Sequence, residues 1–171
     1  SQNCDFILAV GGLMSEATNK IAAANPEQQF AIVDAGSELS NVYSMQFDTA
    51  QAGFLGGYLA AGMSKSGKVG TYGGMKIEPV TIFMDGFADG VDHYNKTKNA
   101  DVKVLGWDKA KQNGSFANSF TAQDEGKKVS DALVAQGADI IMPVAGGSGL
   151  GTTAAAKAAN GKYSVIWVDV D

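Results

Sequence analysis

A short apolar run, then glycine or an acid, then a helix-like stretch: this order occurs again and again along the chain, and it restricts the fold more than any other feature. "DFILAVGG" (5–12) leads into "SEATNKIAAAN", "GKVGTYGG" (67–74) into "TIFMDGFADGVDHYNK", and "ADIIMPVAGG" (138–147) into "GTTAAAKAAN". "YSVIWVDVD" (163–171) opens the same way, with its acids at the tip. "FAIVDA" (30–35), "VYSMQF" (42–47) and "VKVLGW" (102–107) also read as strands, and "TAQAGFLGGYLAAGMSK" (49–65) and "TAQDEGKKVSDALVAQG" (121–137) as helices. Nearly continuous apolar strands alternating with helices are the mark of an α/β fold, a parallel sheet covered on both faces. Ser15 with Thr18, and Thr121 with Asp124 and Glu125, mark helix starts, and Gly137 marks a stop. "KSGK" (65–68) is the clearest internal boundary.

Composition narrows the function. Of 171 residues, 45% are hydrophobic, which suits a packed core, and the net charge of −5 argues against a nucleic-acid protein. No run of about 18 apolar residues is present to span a bilayer. Cys4 is the only cysteine and His93 the only histidine. Neither an internal disulfide nor a zinc cluster is marked, and no Ser lies in a nucleophile elbow. No charged and apolar leader precedes Ser1, and Cys4 is a poor lipid-attachment site, so the chain reads as an internal piece of a longer protein.

In parallel α/β sheets ligands bind at the carboxyl ends of strands. The residues there are Gly11, Gly12 and Leu13; Asp34; Asp48; Gly73, Gly74 and Met75; Trp107 and Asp108; Ala145, Gly146 and Gly147; and Asp169 and Asp171. "AGGSGLGTT" (145–153) lacks the Gly-Lys-Ser/Thr of a phosphate loop and the spacing of a dinucleotide motif, which leaves a tight turn or a loop for a neutral ligand. In "VDVD", residues i and i+2 share a face if the strand stays regular to its end, and only one acid serves if the backbone turns. Paired there, Asp169 and Asp171 suit either a vicinal diol or Mg²⁺ in a phosphotransferase or phosphatase. Asp48 suits a base or amine, or a helix cap. Phe83, Phe87, Trp107, Phe116 and Phe120 are core candidates among which a stacking platform is possible.

The stretches "FAIVDA", "FDTAQAGFLGGYLAAGMSKSGKVGTYGGMKIEPVTIFMDGFADGV", "QGADIIMPVAGGSGLGTTAAAK" and "WVDVD", in this order, resemble the basic membrane protein family. These are lipid-anchored substrate-binding proteins of bacterial ABC transporters, the best understood of which take purine nucleosides. The resemblance implies a fold similar to type I periplasmic binding proteins, two lobes of parallel sheet covered by helices, incomplete in this chain. Residues 1–66 would be the rear of the first lobe and 67–171 most of the second. It implies a non-enzymatic receptor without cofactor or metal, outside the cytoplasm, with ABC permease subunits as partners, no nucleic acid, and membrane attachment only through a lipid anchor outside this chain. Residue by residue, the base-recognising acid falls on Asp48, the ribose-contacting loop glycine on Gly147 and the ribose carboxylate on Asp171. The aromatic beside the sugar falls near Met142, where a thioether stands in place of Phe or Tyr and can still pack on a ring. Gly12 and Gly74 complete the expected ligand set, with Asp169 supporting the loop from below. A sugar-sensing regulator domain of the same lobe fold is the third reading.

Overall fold

The computed structural model describes residues 4–169. Its contacts divide into two compact units. The first holds the residues through Asp48 with Ile77–Pro79, and the second holds Thr49–Lys76 and the chain from Val80 onward.

In the first unit, β1 (Phe6–Val10), β2 (Gln29–Val33) and β3 (Val42–Met45) form a parallel sheet in that order. The helix α1 (Ser15–Ala24) joins β1 to β2. Ala9, Ala22, Phe30, Ile32, Ala35 and Val42 are the core of this unit. The turn below α1 is tied by one side chain. Asn41 Nδ2 donates to the carbonyls of Ala22, Asn25 and Gln28 at 3.0–3.1 Å. One side chain thereby joins three carbonyls of the turn, two of which also accept a backbone N–H from Asn25 and Gln28.

The second unit begins with α2 (Ala50–Met63), followed by β4 (Lys68–Gly73) and, from Val80 onward, by α3 (Glu78–Lys98), whose first two residues group with the first unit and whose Pro79 stands in the first turn where no N–H is needed. Then come β5 (Lys103–Leu105), the short antiparallel hairpin of β6 (Trp107–Asp108) and β7 (Asn113–Gly114), α4 (Gln123–Ala135), β8 (Ile140–Val144), α5 (Gly149–Ala158) and β9 (Ser164–Val165). The main sheet is parallel throughout, in the order β5-β4-β8-β9. The α/β class with parallel strands is as the sequence indicates. α2 groups with this unit, so the contacts divide at 48/49. The physical reason is close helix packing: a Cβ on Gly53 would stand 2.3 Å from the Phe83 carbonyl oxygen on α3, and one on Gly86 2.2 Å from that of Ala50 on α2. Only glycine lets the two backbones approach so far.

α4 ends in a left-handed cap. Gly137 has φ 101°, its N–H donates to Val134, and that of Ala138 donates to Leu133. This is the paired bonding of a Schellman motif, and it is the stop that Gly137 marks in the sequence. The start of α4 differs from expectation. Thr121 does not cap it. Ser119 Oγ accepts from the N–H groups of Thr121 and Ala122, both at 3.0 Å, one turn earlier. Ser15 likewise is the first residue of α1 rather than its cap, which is Met14 with no side-chain bond.

The closing run also departs from a regular strand. The last sheet bond runs from Ile166 N to Ile141 O. In a parallel ladder the next bond would bring the N–H of residue 143 to the Ile166 carbonyl, but residue 143 is Pro and has no donor. β9 therefore ends after two residues, and Asp169 turns to φ 77°. Asp169 is thus not one of two acids spaced along one strand face. Asp171 lies outside the described residues.

Candidate functional site

The carboxyl ends of β4 and β8 are laced together by residues 115–121. Gly73 N donates to Ser115 O, Ala117 N to Gly73 O and Ser119 N to Gly74 O, while Gly74 N reaches Val144 O at 2.8 Å on the other side. Ser148 closes the lacing: its N–H donates to Phe120 O at 3.2 Å and its Oγ to Ser119 O at 2.9 Å. This arrangement places the Phe120 side chain on a glycine shelf. A Cβ on Gly74 would stand 2.4 Å from Phe120 Cδ1, and Gly146 and Gly147 lie beside the same residue. Phe120 is half-buried at the carboxyl edge of the sheet. The sequence puts Gly74 and Gly147 at this edge; the structure adds that both are neighbours of one aromatic residue.

Met142 lies elsewhere. It is 2% exposed, and its Sδ is 3.0 Å from where a Cβ of Gly56 would be, so it faces α2 across the sheet. It nevertheless lines a depression of about 580 Å³ together with Ala52, Gly56, Phe83, Ile166, Trp167 and Asp169. Its walls are apolar and aromatic, with one carboxylate at the rim. Trp167 packs on the first turn of α5, with Cη2 3.0 Å from the Cβ position of Gly149. The only signal for Trp167 in the sequence is an aromatic beside a strand tip, and the role of Ser119 shows only as a hydroxyl upstream of a helix.

The remaining aromatics divide. Phe87 and Trp107 are buried at 0% and 5% exposure, and Phe116 fills the space left by Gly73. His93 is exposed on α3, its ring 5.4 Å from that of Phe54.

In the first unit, Gly12 opens a 3-10 turn after β1. A Cβ there would stand 2.9 Å from Pro79 Cγ and 3.1 Å from the Asp34 carbonyl oxygen, so packing within the unit already demands glycine. Asp34 ends β2 with φ 61°. Asp48 is exposed, three residues past β3.

Three buried hydroxyls support the second unit from inside. The Tyr72 and Thr152 hydroxyls share a 2.7 Å hydrogen bond, and Tyr163 Oη donates to Thr152 O at 3.2 Å. Burial raises the pKa of both tyrosines. Asp139, at the foot of β8, accepts from Ser64 Oγ, Lys65 N and Ser66 N at 2.6–2.8 Å. Burial pushes its carboxyl up, but these bonds outweigh burial and hold it below the ordinary carboxylate value. Among the described residues, no group of three or more His, Cys, Asp or Glu lies together as a metal site, and no helix is long and apolar enough to cross a membrane.

Comparison with known proteins places this geometry. The chain is 32% identical to basic membrane protein B of Borreliella burgdorferi over 98% of its length and 47% of that protein. It is also 32% identical to the ABC transporter nucleoside-binding protein BmpA of Lactococcus lactis subsp. cremoris, over 99% of the chain and 47% of the relative. The chain thus spans about half the length of the curated relatives it matches. A solved ABC transporter solute-binding protein from Aeropyrum pernix K1 superposes with a TM-score of 0.75 at 30% identity, covering 91% of this chain and 43% of that one. A family described as ABC transporter substrate-binding protein, PnrA-like, matches residues 1–171. This is a family of transporter substrate-binding proteins rather than enzymes, and the parallel α/β units built here are those of its solved solute-binding neighbours. The chain belongs to the Bmp family of PnrA-like ABC transporter substrate-binding proteins.

Proposed function

We propose that the protein is the receptor of a bacterial ABC importer, that its ligand is a nucleoside, and that it hands this ligand to a permease from an extracytoplasmic, lipid-anchored position. The observation that carries the ligand class is Phe120, a half-buried aromatic seated on Gly74 at the carboxyl edge of the main sheet. Such a ring provides a stacking face, and the flanking glycines let a ligand come close to the backbone. One relative at 32% identity bears the name nucleoside-binding protein, which supports the same class.

In this reading Phe120 takes the aromatic contact that the family pattern puts near Met142, which is a thioether almost wholly buried against α2. Asp48 accepts from the base. Gly12, Gly74 and Gly147 border the ligand, and Asp171 takes the ribose hydroxyls. The lobes correspond to the two compact units, with α2 in the second.

Calorimetric titration of the full-length protein with inosine and adenosine tests the proposal. Submicromolar to micromolar binding is expected, weakened about tenfold or more by Asp171→Ala, because a charge-assisted bond contributes roughly 1.5–3 kcal/mol. Absence of nucleoside binding in the parent protein overturns the ligand class. Binding that survives Asp171→Ala but is abolished by Asp169→Ala in a folded protein shows the wrong acid to have been assigned.

A further inference from the structure

The connection between β5 and α4 carries Phe120. Besides the backbone bonds to Gly73 and Gly74 and the tie to Ser148, it is held by a carboxylate on α3. Asp85 Oδ1 accepts from the Trp107 indole Nε1 at 2.8 Å. The Gln112 amide donates to the same carboxylate at 3.0 and 3.1 Å. Trp107 stands at the start of the β6–β7 hairpin and Gln112 next to its second strand, so one acid grips both sides. A second tie is peripheral: Lys109 Nζ bonds both Asp89 oxygens at 2.6–2.7 Å between exposed side chains.

From Trp107 the contacts run onward to the shelf. Its ring meets that of Phe116 edge to face, with centroids 6.1 Å apart. Phe116 in turn fills the space over Gly73 and forms a bridge with it. The bonds of Ala117 to Gly73 and of Ser119 to Gly74 follow, and then Phe120. Trp107 is 5% exposed, so losing its acceptor would leave a buried indole donor unpaired and release the hairpin.

We propose that Asp85 is a positioning residue for ligand recognition: through Trp107 and Phe116 it sets the Phe120 ring on the Gly74 shelf. This rests on the nucleoside reading above. Asp85 touches no ligand. It acts by fixing the geometry of a stacking face, and preorganised contacts lose affinity when their support is loosened.

The test is calorimetric titration of the full-length protein and its variants with inosine and with free ribose. Asp85→Ala is expected to weaken inosine binding about tenfold, with a smaller effect on ribose, which has no base to stack. Asp85→Asn keeps an acceptor for the indole and is expected to restore near-parental affinity. Trp107→Phe keeps the ring but removes the tie, and should weaken inosine binding severalfold even if Asp85→Ala fails to fold. Lys109→Ala breaks only the peripheral pair and should bind as the parent does. Unchanged inosine affinity in both Asp85→Ala and Trp107→Phe, or equal loss for inosine and ribose, overturns the role of Asp85 and leaves the receptor reading standing. A parent protein that binds no nucleoside overturns both.

Discussion

A Cβ on Gly57 of α2 would stand 2.0 Å from the Phe87 carbonyl oxygen of α3, and one on Gly90 of α3 would stand 2.0 Å from that of Phe54 on α2. The two helices cross through reciprocal glycine notches. Gly57→Ala should therefore destabilise the protein by about 1–3 kcal/mol through overpacking, although alanine is intrinsically the better helix former. Chemical denaturation of parent and variant measures this. An unchanged or raised midpoint would show that the helices separate at little cost.

The shelf under Phe120 makes a second prediction. Gly74→Ala puts a methyl group where the ring now lies, 2.4 Å from Cδ1. The ring must move, since the next nearest atom, at 3.1 Å, is the backbone oxygen of Ser119. Nucleoside affinity should fall about tenfold or more, with far-ultraviolet circular dichroism unchanged. Retained affinity would remove Phe120 from the recognition surface.

Asp139 predicts a pH dependence. Its folded pKa lies below the ordinary value of 3.8. A depressed carboxyl contributes stability that is fully present above the unfolded pKa and is lost as pH falls through the folded one. The loss should thus begin near pH 4 and continue below it. Asp139→Asn can keep an oxygen against the N–H groups of Lys65 and Ser66 with its NH2 turned to the Ser64 hydroxyl, but it loses the charge on these bonds and should cost about 1 kcal/mol at neutral pH. The gap between parent and variant should narrow as the parent is acidified. Urea midpoints from pH 7 downward read both effects, and a gap that stays constant with pH would contradict them.

Pro143 gives a test of why β9 is short. Pro143→Ala supplies the N–H that the ladder lacks opposite Ile166. The new amide should exchange slowly with deuterium if Ile166 O is its partner, with stability changed by about 1 kcal/mol or less. Fast exchange would mean that the chain leaves the sheet for another reason.

Much of this protein is written in its local sequence. The apolar runs of "FAIVDA" and "ADIIMPVAGG" are too uniformly hydrophobic for a sheet with one wet face, so they announce parallel strands buried on both sides, and the strands are parallel. Gly137 announces the end of α4, because the left-handed turn it adopts is open to glycine at no steric cost. The stretches shared with the Bmp family likewise identify the chain, since spacing along the chain survives where individual contacts change.

Tertiary structure decided the rest, for reasons that act across the chain rather than along it. Whether Met142 or Phe120 presents itself at the sheet's edge depends on which face of β8 meets α2, and on the lacing of residues 115–121 across two strand ends. The hydroxyl that receives the N–H groups at the start of α4 belongs to Ser119 because that loop is held down by Ser148 and Gly74, not because of its own propensity. The closing run was apolar enough to be a full strand, yet a missing donor on its neighbour, Pro143, ended the pairing. A strand's length is set by the hydrogen bonds its partner can offer, and the partner's offer is not visible in the strand's own residues.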